Sequence, residues 1–249
     1  RSLKLDNRII VSPMCQYSAR EGNATNWHLI HLGQLTLSGA GCVIIEATAT
    51  SSIGRISKGC LGLYNNENEQ ALRNVLDQIR EISNMPIGIQ LGHAGRKSSV
   101  SMPWEGGTPL NESKGSWSTV GPSATPFDHN WHIPVMLDQA GMRTIVEEFR
   151  TATRRAQKLD VDLVELHAAH GYLLSQFLSP LANKRTDEYG GDIQNRMRFP
   201  LEVAYAIRDE WPINKPMGIR INAVDWVKGG ILIEDSLIFA RALKNIGID

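Results

Sequence analysis

Apolar positions along the chain follow two alternating patterns. Short runs rich in Val, Ile and Leu occur at Asn7–Met14, Gly41–Thr48, Pro86–His93, Val161–Leu166 and Met217–Asn222. Such runs, bounded by glycine, proline or polar residues, read as strands buried on both faces. Between them apolar residues recur at helical spacing. The stripes are Trp27, Leu29, Ile30, Leu32, Leu35 and Leu37; then Ala71, Leu72, Val75, Leu76, Ile79 and Ile82; then Met142, Ile145, Val146, Phe149 and Ala152. Two more helices run through Val203 and Ile207 and through Leu237, Ile238, Ala240, Leu243 and Ile246. Asp138 stands where it can cap the third helix. Five strands alternating with five helices predict a parallel sheet with helical crossovers. One stretch breaks the pattern. Residues from about Ser98 to Ile133 form a long irregular insertion that sets Trp104, Trp117 and Trp131 among Gly, Pro and Ser, aromatics suited to covering apolar surface.

Composition narrows the class. The chain has 249 residues, 42% of them hydrophobic, enough for one large α/β barrel domain or two small domains. No repeat beyond the β-then-α alternation and no linker is visible, which favours one domain over residues 1–249. Lys plus Arg and Asp plus Glu both number 26, so the net charge is zero, a balance that argues against a nucleic-acid footprint or a basic membrane patch. No signal-peptide pattern and no apolar run long enough to span a bilayer is present. The three cysteines, Cys15, Cys42 and Cys60, make no paired framework, which points to a reducing, cytoplasmic setting. Cys42 reads as inert core, and Cys60 carries no readable signal.

The candidate chemistry gathers where strands end. The fourth strand runs into His167-Ala-Ala-His170-Gly-Tyr172. Two imidazoles and a phenol at the end of a buried strand can hold a carbonyl or nitro oxygen and protonate its neighbour. No third His or Cys follows at ligand spacing, so a metal site is not expected. Cys15, Glu46, Gln90 and His93 occupy matching ends of the earlier strands. A (β/α) barrel builds its active site at that edge. A doubly wound sheet uses the same edge, but no G-x-G-x-x-G turn follows the first strand. Arg220 sits inside the fifth strand, where a charge either meets an anion or forms a buried ion pair. His28 and His31, three apart on the first helix, read as packing or capping residues.

Four segments in this order resemble the old yellow enzyme family of FMN-dependent ene-reductases: Ser12-Pro-Met-Cys-Gln-Tyr17, Gly92-His-Ala-Gly-Arg-Lys97, His167-Ala-Ala-His-Gly-Tyr172 and Asn183-Lys-Arg-Thr-Asp-Glu-Tyr-Gly-Gly191. Cys15 and the Trp-bearing insertion resemble the branch of bacterial xenobiotic reductases. The resemblance implies that Ser12, Pro13, Met14 and Cys15 line an FMN, with Cys15 tuning its potential. It implies that Ala47 and Gln90 contact the flavin ring, and that Arg220 lies beside its electron-rich edge. His167 and His170 then bind the substrate's activating oxygen, Tyr172 donates the proton, and Tyr17 is a second substrate contact. Arg185, Asp187 and Arg196 remain structural loop contacts. The implied reaction takes a hydride from NADPH or NADH and delivers it to an enone, maleimide or nitroalkene.

The implied fold is a (β/α)8 TIM barrel of which this chain supplies about five units, strands one to five, without the C-terminal units that normally build the phosphate site. Both ends look cut, and room is left for a homo-oligomer of a longer parent. Two other readings stand beside the ene-reductase: the flavin barrel of an iron–sulfur enzyme resembling dienoyl-CoA reductases, and a truncated, non-catalytic fragment.

Overall fold

A computed structural model describes residues 1–249. Its centre is a curled, five-stranded, wholly parallel sheet, half of a barrel wall, in which strands neighbour one another in chain order. These are β1 (Ile10–Val11), β2 (Cys42–Ala49), β3 (Ile87–Gly92), β6 (Leu163–Ala168) and β7 (Met217–Ile221). The crossover helices are α1 (Asn26–Thr36), α2 (Asn66–Arg80), α3 (Gln139–Lys158) and α6 (Arg198–Glu210), and α7 (Ile233–Asn245) follows the last strand. All five strands and all five helices of the sequence pattern are therefore present. Two short helices, α4 (Leu173–Leu178) and α5 (Ile193–Arg196), are additional, as is a two-stranded sheet of β4 (Val120–Gly121) and β5 (Val135–Met136). That small sheet ties down the end of the insertion.

Local chemistry explains the elements. Asn65 caps α2 by accepting from the Asn68 N–H at 2.7 Å, with Glu67 and Glu69 in the first turn and Arg80 in the last, all favourable to the helix dipole. Asp138 caps α3 through the Gly141 N–H at 2.7 Å, as its position predicts. Leu72, Val75, Leu76 and Ile79 of α2 and Met142, Ile145, Phe149 and Ala152 of α3 bury against the convex face of the sheet. Ile87, Ile89, Leu91, Val164 and Leu166 meet them there, all fully buried. Alternation then turns Gly88, Gln90, Gly92, Glu165, His167, Gly218 and Arg220 toward the concave face.

Two expectations need correction. The first strand is two residues, not the whole of Asn7–Met14. Asn7 folds back to accept from the Ile9 N–H, and Pro13 has no N–H for a ladder, so pairing with β2 ends at Val11. The segment from Ser12 to Tyr17 is extended and irregular. The first helix does not bury all its apolar residues: Trp27, Ile30 and Leu37 are more than half exposed, and the face on the sheet is His28, Leu32, Gly33 and Thr36. A helix apolar on several sides can bury only one of them.

The sheet has two open edges. β1 pairs only with β2, and β7 only with β6, apart from the Asp249 N–H that reaches the Met217 carbonyl at 3.0 Å. Unpaired strand edges template association. A polypeptide of residues 1–249 made alone is therefore expected to bind a hydrophobic dye and to sediment as heterogeneous oligomers. A monodisperse, dye-silent monomer would show that these edges are protected by something other than strand pairing.

Candidate active site

The site is built on two rows of strand register. Ala47, Gln90, Glu165 and Gly218 are successive partners across β2, β3, β6 and β7. One step on, His167 pairs with Arg220, and Gly92 lies beside His167. A Cβ on Gly92 would come within 3.3 Å of the His167 Cβ, so this glycine keeps the concave face open next to the imidazole. Gln90 donates from Nε2 to Glu165 Oε1 at 2.5 Å, which leaves its amide oxygen free to accept. Burial raises the Glu165 carboxyl above its usual range. Arg220 is half-buried and, unlike Arg185 and Arg196 with Asp187 and Asp235, has no carboxylate partner. Of the two fates open to a strand-borne arginine, no buried ion pair has formed.

The strand-end loop gathers His167, His170 and Tyr172. The ring of His167 lies 5.0 Å from those of both His170 and Tyr172, edge to face in each case. Backbone turns make this possible: His170 and Gly171 both adopt positive φ, at 58° and 71°, and the Asn222 side chain holds the His170 N–H at 2.9 Å. For a histidine that conformation costs about 1–3 kcal/mol, which the surrounding contacts offset. The Ala169 N–H donates to His167 Nδ1 at 3.2 Å, so the imidazole proton resides on Nε2. Burial first, then the charges of His170, Arg220 and Lys97, push His167 down to about 3; burial, Arg220 and Lys97 lower His170 as well. Both are neutral donors at neutral pH. Burial pushes the Tyr172 phenol up, so it stays protonated.

The segment from Ser12 to Tyr17 completes the wall. Ser12 and Met14 are exposed, Pro13, Cys15 and Tyr17 half-buried. Cys15, Tyr17, Tyr172 and Cys60 lie near enough to influence one another's ionisation, and burial keeps the Cys15 and Tyr17 protons on. Tyr17 takes φ of 50° and meets the edge of Trp104 at 6.0 Å. Trp104 is 65% exposed, so of the three insertion tryptophans it alone leaves the surface-covering role; Trp117 donates to the Ile53 carbonyl and Trp131 packs on Phe127.

The sequence reading missed how this wall is anchored. A bulge in β2 falls at Glu46, which is buried, accepts from the Gln16 N–H at 3.0 Å and lies 3.3 Å from His28 Nε2. His28 also accepts from the Thr25 N–H at 2.9 Å. His28 is thus a cap, as expected, and in addition a link from α1 to the wall. The polar Glu46 at the end of an apolar run was the available signal. His93 is buried too, its Nδ1 accepting from the Gly95 N–H at 3.0 Å and its Nε2 unpartnered; burial pushes it down to about 4. Arg185 is structural, paired with Asp187 at 2.5 Å and donating to the Pro122 and Leu137 carbonyls; Arg196 pairs with Asp235 at 3.0 Å.

Comparison with known proteins identifies the lineage. The profile of the NADH:flavin oxidoreductase / NADH oxidase family matches residues 1–249. The chain belongs to this family. An NADPH dehydrogenase of Bacillus cytotoxicus is 38% identical over 251 residues, covering all of this chain and 67% of that protein. The solved structure of morphinone reductase in complex with tetrahydroNAD superposes with a TM-score of 0.84 at 29% identity, covering 99% of this chain and 69% of that one. A 2-naphthoyl-CoA reductase superposes with a TM-score of 0.85 at 24% identity, a likeness of fold alone, covering 98% of this chain and 37% of that one. The chain thus spans about two thirds of the length of its dehydrogenase relative. The half-barrel is part of a TIM-barrel fold of the old yellow enzyme type.

The two buried histidines give a pH dependence with a definite sign. An unfolded histidine takes up its proton near pH 6.5. In the folded chain His93 and His167 resist protonation until about pH 4 and about pH 3. Between these limits the unfolded state binds more protons, so stability is full above pH 6.5 and falls as the pH drops toward 4. Each residue should contribute about 1.4 kcal/mol per pH unit to the slope between pH 5 and 6. Denaturant unfolding of His93→Asn and His167→Asn across that range should show slopes smaller by this amount. A slope unchanged in His93→Asn would mean that His93 is charged in the folded protein.

Proposed function

We propose that the chain carries the substrate and flavin-ring face of an FMN-dependent NAD(P)H ene-reductase, and that it reduces activated C=C bonds of α,β-unsaturated carbonyl or nitro compounds. The observation that carries this reading is the His167–His170–Tyr172 cluster, two neutral donors and a protonated phenol whose ring centres lie 5.0 to 6.5 Å apart at the strand ends. The family match and the dehydrogenase and morphinone reductase relatives support it.

The concave face suits a flat, partly anionic ring system. Its floor has glycines at 92 and 218, and its rim has a free amide oxygen on Gln90 and an unpaired guanidinium on Arg220. Gln90 and Ala47 would meet the ring's polar edge, Arg220 its electron-rich side, and Ser12, Pro13, Met14 and Cys15 its flank. Bound there, FMN would supply the redox chemistry that relays a hydride from NADPH or NADH to the β-carbon of the alkene. The remaining work belongs to side chains. His167 Nε2–H and a ring N–H of His170 hold the carbonyl or nitro oxygen; as neutral donors they gain strength as that oxygen becomes enolate-like. By analogy with oxyanion-hole donors each is worth about 3–4 kcal/mol. Tyr172 donates its proton to the α-carbon, and Tyr17 borders the substrate. Cys15, whose proton burial retains, acts as a close, polarizable and uncharged neighbour of the ring. The Cys15 motif and the Trp-bearing insertion favour the xenobiotic-reductase branch. Three free cysteines suit a reducing compartment, and no helix is long and apolar enough to cross a membrane.

A phenol mimics the enolate, with its oxygen in the histidine pocket. Replacing His167 by Ala in the flavin-loaded, full-length protein should weaken binding of a para-substituted phenol by about two orders of magnitude, the loss of one such donor. Titration followed through the long-wavelength charge-transfer absorption measures it. An unchanged dissociation constant would remove His167 from the oxygen-binding role.

A further inference from the structure

The motif after β3 places two cations beside the histidine pair that the reading above leaves unused. Lys97 ends a single 3-10 turn, Gly95–Lys97. Its ammonium donates to the His170 carbonyl at 3.1 Å and lies 5.1 Å from the centre of the Tyr172 ring and 4.7 Å from that of Phe127. It is tethered on three sides to residues at the mouth of the site. The aromatic faces hold the charge there without neutralising it. Arg96, behind it, donates from Nη1 to the Thr125 and Pro126 carbonyls, stands over the Phe127 ring, and has a buried Nε with no partner.

What sets this pair apart is the absence of counter-charge. Arg185 and Arg196, also next to the strand ends, each hold an aspartate. No carboxylate forms a salt bridge with Lys97 or Arg96, and the ionisable groups that act on the histidines from this side are cationic or neutral. Both side chains are only half exposed. An ammonium taken partly out of water beside a guanidinium, with one carbonyl as its fixed acceptor, remains under-compensated; an anion would satisfy it through a charge-assisted hydrogen bond. Arg220 does not compete for that anion at the mouth, because it sits on the concave face as the strand partner of His167.

We propose that Lys97, backed by Arg96, forms a subsite for an anionic group on the substrate, so that carbonyl compounds bearing a carboxylate near the activating oxygen are preferred to their neutral counterparts. The inference rests on His167 and His170 as the oxygen-binding pair. Its test separates the two ideas. 3-Hydroxybenzoate, 4-hydroxybenzoate and their methyl esters are titrated calorimetrically into the flavin-loaded protein and into its Lys97→Met and Lys97→Arg variants. Acid and ester offer the histidines a phenol on the same ring; the ester's is the more acidic and so the better enolate mimic, which leaves the carboxylate charge as the source of any preference for the acid. At least one acid should bind about tenfold more tightly than its ester. Lys97→Met should abolish that preference while leaving the ester's affinity within about twofold, and Lys97→Arg should keep it. Equal affinities of acid and ester for both isomers in the unaltered protein would overturn the subsite while the ester's binding upholds the histidine pair. So would a preference that survives in Lys97→Met. Failure of every phenol to bind the unaltered protein would overturn the histidine pair and the subsite together.

Discussion

The site depends on parallel register. Because every strand of the sheet runs the same way and each pairs with the next in chain order, the C-terminal ends of β2, β3, β6 and β7 fall together. Residues far apart in sequence, Ala47, Gln90, His167 and Arg220, then share one concave face without any of the loops having to reach. A slip of one residue in β6 would exchange His167 for Leu166 or Ala168 and turn the imidazole into the helical layer. The fully buried convex face, with Ile87, Ile89, Leu91, Val164 and Leu166 under α2 and α3, opposes that slip. Burying one leucine or isoleucine is worth about 1.5–3 kcal/mol, so several together far exceed a single hydrogen bond of about 1 kcal/mol. Hydrophobic packing on one face therefore sets the geometry of polar chemistry on the other.

The polar face bears costs that the apolar one offsets. Tyr17 and His170 hold positive φ, His93 keeps an unpartnered ring nitrogen, and Arg220 and Lys97 carry charge without a carboxylate. Positive φ also marks turns elsewhere, at Glu21, Asp160 and Trp226, but around this opening it coincides with two cations that have no carboxylate partner, a combination that a ligand-binding site can use. The insertion contributes here as well: Phe127 and Trp104 lean on Lys97 and Tyr17.

Much of this was legible in the sequence. Strands β2, β3, β6 and β7 announce themselves as apolar runs, and α2 and α3 combine caps with one-sided stripes. The clustering of His167, His170 and Tyr172 followed from a strand that ends in a glycine turn. The length of β1 was not legible, because hydrophobicity between Asn7 and Met14 does not reveal that Asn7 turns back and that Pro13 cannot donate. Nor was the buried face of α1, since Trp27 and Ile30 look as apolar as Leu32 and only tertiary contact selects among them. The anchoring of Gln16 by Glu46 depends on a bulge, whose one mark in the sequence is the polar Glu46 itself at the end of an apolar run. The unpaired states of Arg220 and Lys97 are absences, visible only once every neighbour is in place.

Isotope tracing tests the central claim, that these strand ends hold an activating oxygen while hydride arrives at one carbon and the Tyr172 proton at the next. The flavin-loaded protein is given 2-methylcyclohexenone with 4-deuterated NADPH in ordinary water, then with unlabelled NADPH in heavy water, and the product is read by NMR. The account predicts deuterium at the β-carbon alone in the first case and at the α-carbon alone in the second, with α-incorporation slowed in Tyr172→Phe. Label at the carbonyl carbon, or an unreduced enone beside oxidised coenzyme, would contradict it.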